Sequence, residues 1–181
     1  MKYKLDIEDS SPDLGSMAFL LFHTDMPNYA FVDDLNRLYS ISLERVGDVQ
    51  LSEAEWPLYT YHDELRLKNY YLIERPLSLD KSASTWNIGH KLLIINGDGS
   101  QSIAENITNE FNVLPQLPDA NDLLAIERYD ILCNFHQSFT PVSLIDFEND
   151  ANLSRKGIKE RNELQRLLSA IVNSLDIGSV E

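Results

Sequence analysis

Four histidines and a single cysteine are the residues of this chain best suited to bind a metal ion or to attack a substrate. The densest group is His62, Asp63 and Glu64. A zinc site needs at least three converging ligands, and on a strand Asp63 would face away from its two neighbours. Because two close candidates fall short of that ligand count and the group fits the polar end of a β-hairpin, the sequence predicts no metal ligand.

Cys133 and His136 have the spacing that places a thiol and an imidazole on one face of a helix. Leu132 and Phe135 lie beside them, however, and a lone cysteine among apolar residues is usually a small core residue. The sequence leaves open whether Cys133 and His136 have any role, and it predicts no catalytic residue.

Residues 97–100, Gly-Asp-Gly-Ser, lie between a predicted strand and a predicted helix, where phosphate-binding loops occur. They lack the third glycine of the dinucleotide pattern and the lysine of the phosphate loop, and Asp98 would repel an anion. The segment therefore indicates a tight turn and no nucleotide cofactor. The G-x-S-x-G and H-E-x-x-H patterns are also missing, so the sequence does not indicate an enzyme.

The charge is strongly negative, because 29 Asp and Glu face 15 Lys and Arg, for a net −14. Such a surface repels phosphate backbones and anionic lipids, so we expect neither nucleic-acid nor membrane binding. Residues 1–150 carry 25 acids and 10 bases, whereas residues 151–181 carry four and five. The sequence predicts an acidic α+β domain over 1–150, with a C-terminal amphipathic helix over 151–181 packed on it.

Three features favour a cytoplasmic location. A single cysteine cannot form an intrachain disulfide. The first residues lack the apolar core of a signal peptide, and no apolar run approaches the ~18 residues of a membrane helix.

Hydrophobic periodicity predicts strands over residues 2–8, 17–22, 43–51, 56–62, 69–74, 90–96 and 112–117, with Gly47 as a bulge. It predicts helices over 27–39, 102–111 and 154–175, and it favours helix over strand for the ambiguous residues 123–135. A capping side chain in the segment that begins at Thr24, ahead of Pro27, and the Ser102–Glu105 capping box are the expected helix caps. The fold class is α+β, a mixed and mostly antiparallel sheet with helices packed on one face and a C-terminal helix. The step from Phe19 through the first helix to Leu43 is compatible with a single parallel crossover.

Tyr59 and Tyr61 share one face of a predicted strand, opposite Trp56 and Leu58. Such tyrosines either form a half-exposed interface or pair with tyrosines of the next strand. Together with Asp33 and Asp34 of the first helix, they are the candidate partner-binding residues.

An apolar strand, a helix, a second strand and a hairpin follow one another at residues 18–22, 34–38, 43–46, 58–64 and 70–73. In this order and character the chain resembles the bacterial IPExxxVDY family. Residues 84–90 replace the motif that gives the family its name. The resemblance implies a cytoplasmic bacterial α+β domain, and it implies no activity, cofactor or site residue.

These observations favour a non-enzymatic module that binds a protein partner, which the acidic surface suggests is cationic. One alternative is an immunity or inhibitor protein whose acidic face blocks a basic toxin or nuclease. Another is a hydrolase or small-ligand binder without a recognisable motif. The sequence leaves a homodimer open.

Overall fold

The computed structural model describes residues 16–24, 26–51, 54–74, 91–138, 142–145 and 155–175. The strands are β1 (Met17–Phe22), β2 (Glu44–Leu51), β3 (Ala54–Asp63), β4 (Lys68–Glu74), β5 (Lys91–Asn96) and β6 (Ser143–Leu144). The helices are α1 (Asn28–Tyr39), α2 (Ser100–Asn112), α3 (Leu123–Ser138) and α4 (Arg155–Ser174). The expected α+β class is confirmed. The strand predicted over 2–8 lies outside the described residues.

Neighbouring strands of the sheet run antiparallel, in the order β2-β3-β4-β5-β1-β6. Four antiparallel steps lead from β1 to β2, so these two strands point the same way, and α1 connects them. The parallel crossover is therefore confirmed in direction, although three strands separate β1 from β2.

The central strands β1 and β5 are apolar and buried on both faces. Side chains alternate between the faces of a strand, so each strand contributes to two cores. Leu20, Phe22 and Leu93 face the first core, which α1, α2 and α3 cover. Phe19 and Leu92 face the second core on the other side of the sheet.

Helix α4 covers the second core. Its fully buried Leu168, Ile171 and Val172 lie at i, i+3 and i+4 and form the apolar stripe expected from the sequence. The C-terminal helix thus packs on the body, on the face opposite the other three helices. None of the described helices combines the length and the apolar character needed to cross a membrane.

Four phenylalanines join β1 to the three helices of the first core. Phe22 of β1 meets Phe31 of α1 and Phe111 of α2 edge to face, with ring centroids 5.1 and 5.6 Å apart. Phe135 of α3 meets the same two helical rings at 5.7 and 4.8 Å. Edge-to-face aromatic pairs add about 0.5–1.5 kcal/mol each beyond their buried area.

The helix caps expected from the sequence are wrong. Thr24 Oγ1 accepts a hydrogen bond from the amide of Met26 at 3.0 Å, which forms a turn ahead of α1 rather than a cap. Helix α2 begins at Ser100, before the expected capping box, so Ser102 and Glu105 lie inside the helix. Ser100 Oγ instead donates to the carbonyl of Ser16 at 3.1 Å, which ties the start of α2 to the start of β1.

The strand predicted over 112–117 is also wrong, because β6 pairs with β1 at that edge of the sheet. The side-chain amide of Asn112 forms two hydrogen bonds with the backbone of Val142, just before β6. Its Oδ1 accepts from the Val142 N–H, and its Nδ2 donates to the Val142 carbonyl. Three other predictions are confirmed: the helix over 123–135, the β3–β4 hairpin, and the bulge at Gly47, where the β2–β3 register shifts.

Gly97 allows the β3–β4 turn to pack against the end of β5. Its φ is +125°, and a Cβ built on it would lie 2.5 Å from the Leu67 carbonyl oxygen. Gly99 also has positive φ, +73°, but a Cβ there would meet nothing within 4 Å. Both glycines therefore have a positive φ, and only Gly97 combines it with a close contact.

We expect Gly99→Ala to lower the free energy of unfolding by about 1–2 kcal/mol through its left-handed backbone. Gly97→Ala should cost at least about 1 kcal/mol more, because the turn must move away from the added methyl group. Urea denaturation of both variants measures the difference. Equal losses would show that Leu67 does not constrain Gly97.

Candidate functional site

Tyr59 and Tyr61 lie on the same face of β3 and pack, half-buried, against the first core, whereas Trp56 and Leu58 pack on the second. Tyr61 is directly opposite Tyr70 of β4, with ring centroids 5.8 Å apart. The faces predicted for these aromatics are confirmed. The cross-strand tyrosine pair forms as well, and a partner-binding role for Tyr59 and Tyr61 stays a prediction.

Asp33 and Asp34 both lie near Arg37 of α1, with carboxylate–guanidinium distances of 3.9 and 4.0 Å. Arg37 also forms an ion pair with Glu127 of α3. The Asp33 side chain is 69% exposed and that of Asp34 only 15%. Burial is the main reason that the pKa of Asp34 is raised, with Arg37 opposing the effect and Asp33 adding to it.

The residues considered for catalysis or metal binding contact other groups rather than one another. His62 Nδ1 contacts the side-chain oxygen of Asn69, and Asp63 accepts a hydrogen bond from the Arg66 amide at 3.0 Å. His136 Nε2 is 2.8 Å from the carbonyl oxygen of Val113, while the Cys133 thiol is the main cause of the raised pKa of the Tyr129 phenol. Within the described residues, no three His, Cys, Asp or Glu side chains are grouped so as to hold a metal ion.

Lys91 forms a buried polar cluster that the sequence reasoning missed. Its ammonium is 3.0 Å from Glu74 Oε1, donates to Asn28 Oδ1, and lies 5.3 Å from the centre of the Phe31 ring. Asn28 also donates to Glu74, so the three side chains bond to one another. The signal was a lysine at the start of an apolar central strand, because a charge placed there must find a partner.

A second polar network joins the three helices of the first core. Arg128 of α3 donates to Glu110 of α2 and, at 2.5 Å, to the carbonyl of Leu38 in α1. Tyr39 of α1 donates to the other Glu110 oxygen at 2.9 Å. Burial, then the adjacent carboxylate, raises the pKa of Tyr39 well above its usual value, so the phenol stays a donor.

The link between α2 and α3, together with the first two residues of α3, exposes several large apolar side chains. We call residues 113–124 the apolar connection. Half of the large apolar side chains that are exposed in the described part of the chain lie in it: Val113 (62%), Leu114 (77%), Leu117 (81%), Leu123 (78%) and Leu124 (79%). Exposed apolar groups concentrated in this way mark interaction surfaces more often than scattered ones do.

Hydrogen bonds hold the apolar connection at both ends. At its start, His136 contacts the Val113 carbonyl. At its end, Asp119 Oδ1 accepts from the Asn121 amide at 3.0 Å, and Asp122 Oδ1 accepts from the Ala125 amide at 3.0 Å. Asp122 thereby caps α3, so the conformation that exposes the leucines is built into the fold.

Comparison of the chain with protein-family models, with curated proteins and with solved structures finds no match. The resemblance to the IPExxxVDY family therefore stays a prediction. Any functional argument has to come from the residues and geometry of this chain.

In the Lys91 cluster, removing the charge of Glu74 should destabilise the fold more than removing the charge of Lys91. Glu74→Gln leaves the ammonium, 1% exposed, without its counter-charge and should cost about 3 kcal/mol of unfolding free energy. Lys91→Met should cost clearly less, because Glu74 is 27% exposed and can turn to water. Denaturant melts of both variants test this, and an equal or reversed order would contradict the cluster geometry.

The raised pKa of Asp34 predicts that its ionised carboxylate lowers the stability of the folded protein in a pH-dependent way. A carboxyl whose pKa is raised by folding binds more protons in the native than in the unfolded state, so stability falls as pH rises through its titration range. Asp34→Asn should therefore raise the melting temperature above that of the wild type at pH 7, and this gain should disappear in acid. Asp33→Asn, which removes an exposed charge, is the control; the same pH-dependent gain in both variants would exclude burial as the cause.

Proposed function

We propose that this protein is a protein-interaction module that binds a basic, amphipathic segment of a partner protein through the apolar connection. The observation that carries the proposal is a set of exposed leucines on a segment held in place by hydrogen bonds. A surface that is already ordered loses little conformational entropy on binding.

The charge of the chain indicates the kind of partner. Between residues 113 and 124 there are two carboxylates, Asp119 and Asp122, and no Lys or Arg. The whole chain carries −14, so a cationic segment would be attracted over a long range and an acidic one repelled. A helix with leucines on one face and lysines on the other matches both properties.

The residues singled out from the sequence form a second, weaker candidate contact. Tyr59 and Tyr61 are half-buried, and Arg37 partly neutralises Asp33 and Asp34. Less of their surface and charge is therefore open to a partner than the sequence suggested. We assign them a supporting role at most, through the overall acidity of the surface.

The acidic character also supports the narrower proposal of an immunity or inhibitor protein, whose partner would be a basic toxin or nuclease. A toxin gene beside the gene for this chain would favour this version. We further propose a cytoplasmic, bacterial setting, supported by the single cysteine and by the resemblance described above.

A synthetic helical peptide of leucine and lysine serves as the probe for this proposal. We expect saturable binding in fluorescence anisotropy that weakens with added salt, and no binding of the matching leucine–glutamate peptide. The double variant Leu117→Ser/Leu124→Ser should weaken binding of the lysine peptide at least about tenfold, because two exposed side chains of about 1 kcal/mol or more each are lost.

Leu65→Ser is the matched control, because Leu65 is 97% exposed but lies in the β3–β4 turn outside the apolar connection. Its affinity for the lysine peptide should equal that of the wild type. Equal weakening in both variants, or equal binding of the glutamate peptide, would contradict the proposal. A third outcome would also contradict it: sedimentation equilibrium could show that the wild type and Leu65→Ser are dimers and that the double variant is a monomer. The apolar connection would then bind a second copy of the chain.

A further inference from the structure

A half-enclosed cavity of about 220 Å³ lies in the first core, between α1, α2 and the β3–β4 turn. Its lining is mostly apolar and includes Leu35, Ile41, Leu93, Ile103 and Ile107. Leu35, Leu93 and Ile107 are at most 2% exposed, so they form its floor.

Three polar side chains also line the cavity: Arg66 of the β3–β4 turn, Tyr39 of α1 and Tyr70 of β4. Tyr70 is 5% exposed, and burial, followed by the nearby Asp63, raises the pKa of its phenol, so it remains a hydrogen-bond donor at neutral pH. Both the guanidinium and the phenol can therefore donate to an anion.

Asp63 positions Arg66 at the mouth of this space. The buried Asp63 carboxylate accepts from the Arg66 amide at 3.0 Å and from its Nη1 at 3.3 Å. Lys68 lies directly opposite Asp63 in the hairpin. The turn thus carries two bases against Asp63 and Glu64, which makes it a neutral spot on an acidic chain, and the Arg66 side chain remains 66% exposed.

From this geometry we propose that the cavity binds a small amphipathic carboxylate, with its apolar body on Leu93 and Ile107 and its head group at Arg66. An apolar cavity of about 150 Å³ holds one benzene ring, so this space suits a body of about six to eight carbon atoms. The site is distinct from the apolar connection and does not depend on the partner proposed above.

Hexanoate and hexanol are the probes, because they share an apolar chain and differ in charge. We expect saturable methyl chemical-shift changes on titration with hexanoate at Ile103 and Ile107, and none at Ile171 of the second core. Hexanol should bind more weakly. No saturable change at the cavity methyls with hexanoate, or changes equal to those at Ile171, would overturn the proposal.

Two variants test the apolar wall of the cavity and the head-group contact separately. Ile103→Phe places a larger side chain at a half-buried position in the cavity wall and should abolish binding of both probes. Arg66→Gln should weaken hexanoate about fivefold, the factor for an exposed ion pair of about 1 kcal/mol, and leave hexanol unchanged.

Arg45→Gln is the matched control, because Arg45 pairs with Asp48 three residues away, as Arg66 does with Asp63, but lies on β2. Equal hexanoate affinity in Arg66→Gln and Arg45→Gln would overturn the assignment of the head group. Undiminished binding in Ile103→Phe, with the methyl spectrum of a folded protein, would overturn the site itself.

Discussion

The contact of four phenylalanine rings in the first core ties β1 to the three helices that cover it. Phe22 comes from β1, and each of α1, α2 and α3 contributes one further ring. Phe111 also stacks on Tyr39 at the end of α1, with ring centroids 6.4 Å apart. Tyr39 in turn lines the cavity, together with Ile103 and Ile107 of α2. The aromatic cluster and the cavity are therefore neighbours that share the Tyr39 side chain.

The central strands impose a second constraint, because they are walls of two cores at once. An apolar hexapeptide such as Met17–Phe22 suits this position, since both of its faces need apolar neighbours. Lys91 breaks the pattern at the start of β5. The fold accommodates it only because Glu74 on the neighbouring strand and Asn28 at the start of α1 provide partners. The polar cluster therefore fixes the start of α1 relative to the sheet.

Prediction from sequence worked where a pattern is local. Alternation along residues 56–62 assigned Tyr59 and Trp56 to opposite faces, and the apolar stripe of α4 marked its buried side. Prediction failed where a residue distant in sequence determines the local secondary structure. Ser100 begins α2 because it bonds to Ser16, and the segment after Asn112 is not a strand because β6 occupies that edge.

The candidate sites also divide into features that local sequence patterns predict and features that depend on tertiary packing. The sequence by itself determined an acidic surface, an α+β fold and the faces on which the strand aromatics lie, because charge and side-chain periodicity are properties of the chain alone. Only the tertiary structure decided that the leucines of the apolar connection point outward and that Arg66 borders a cavity. A leucine in an irregular segment carries no periodic signal for burial. Its exposure depends on whether another element covers it, and that is settled only when α1, α2 and α3 pack on the sheet.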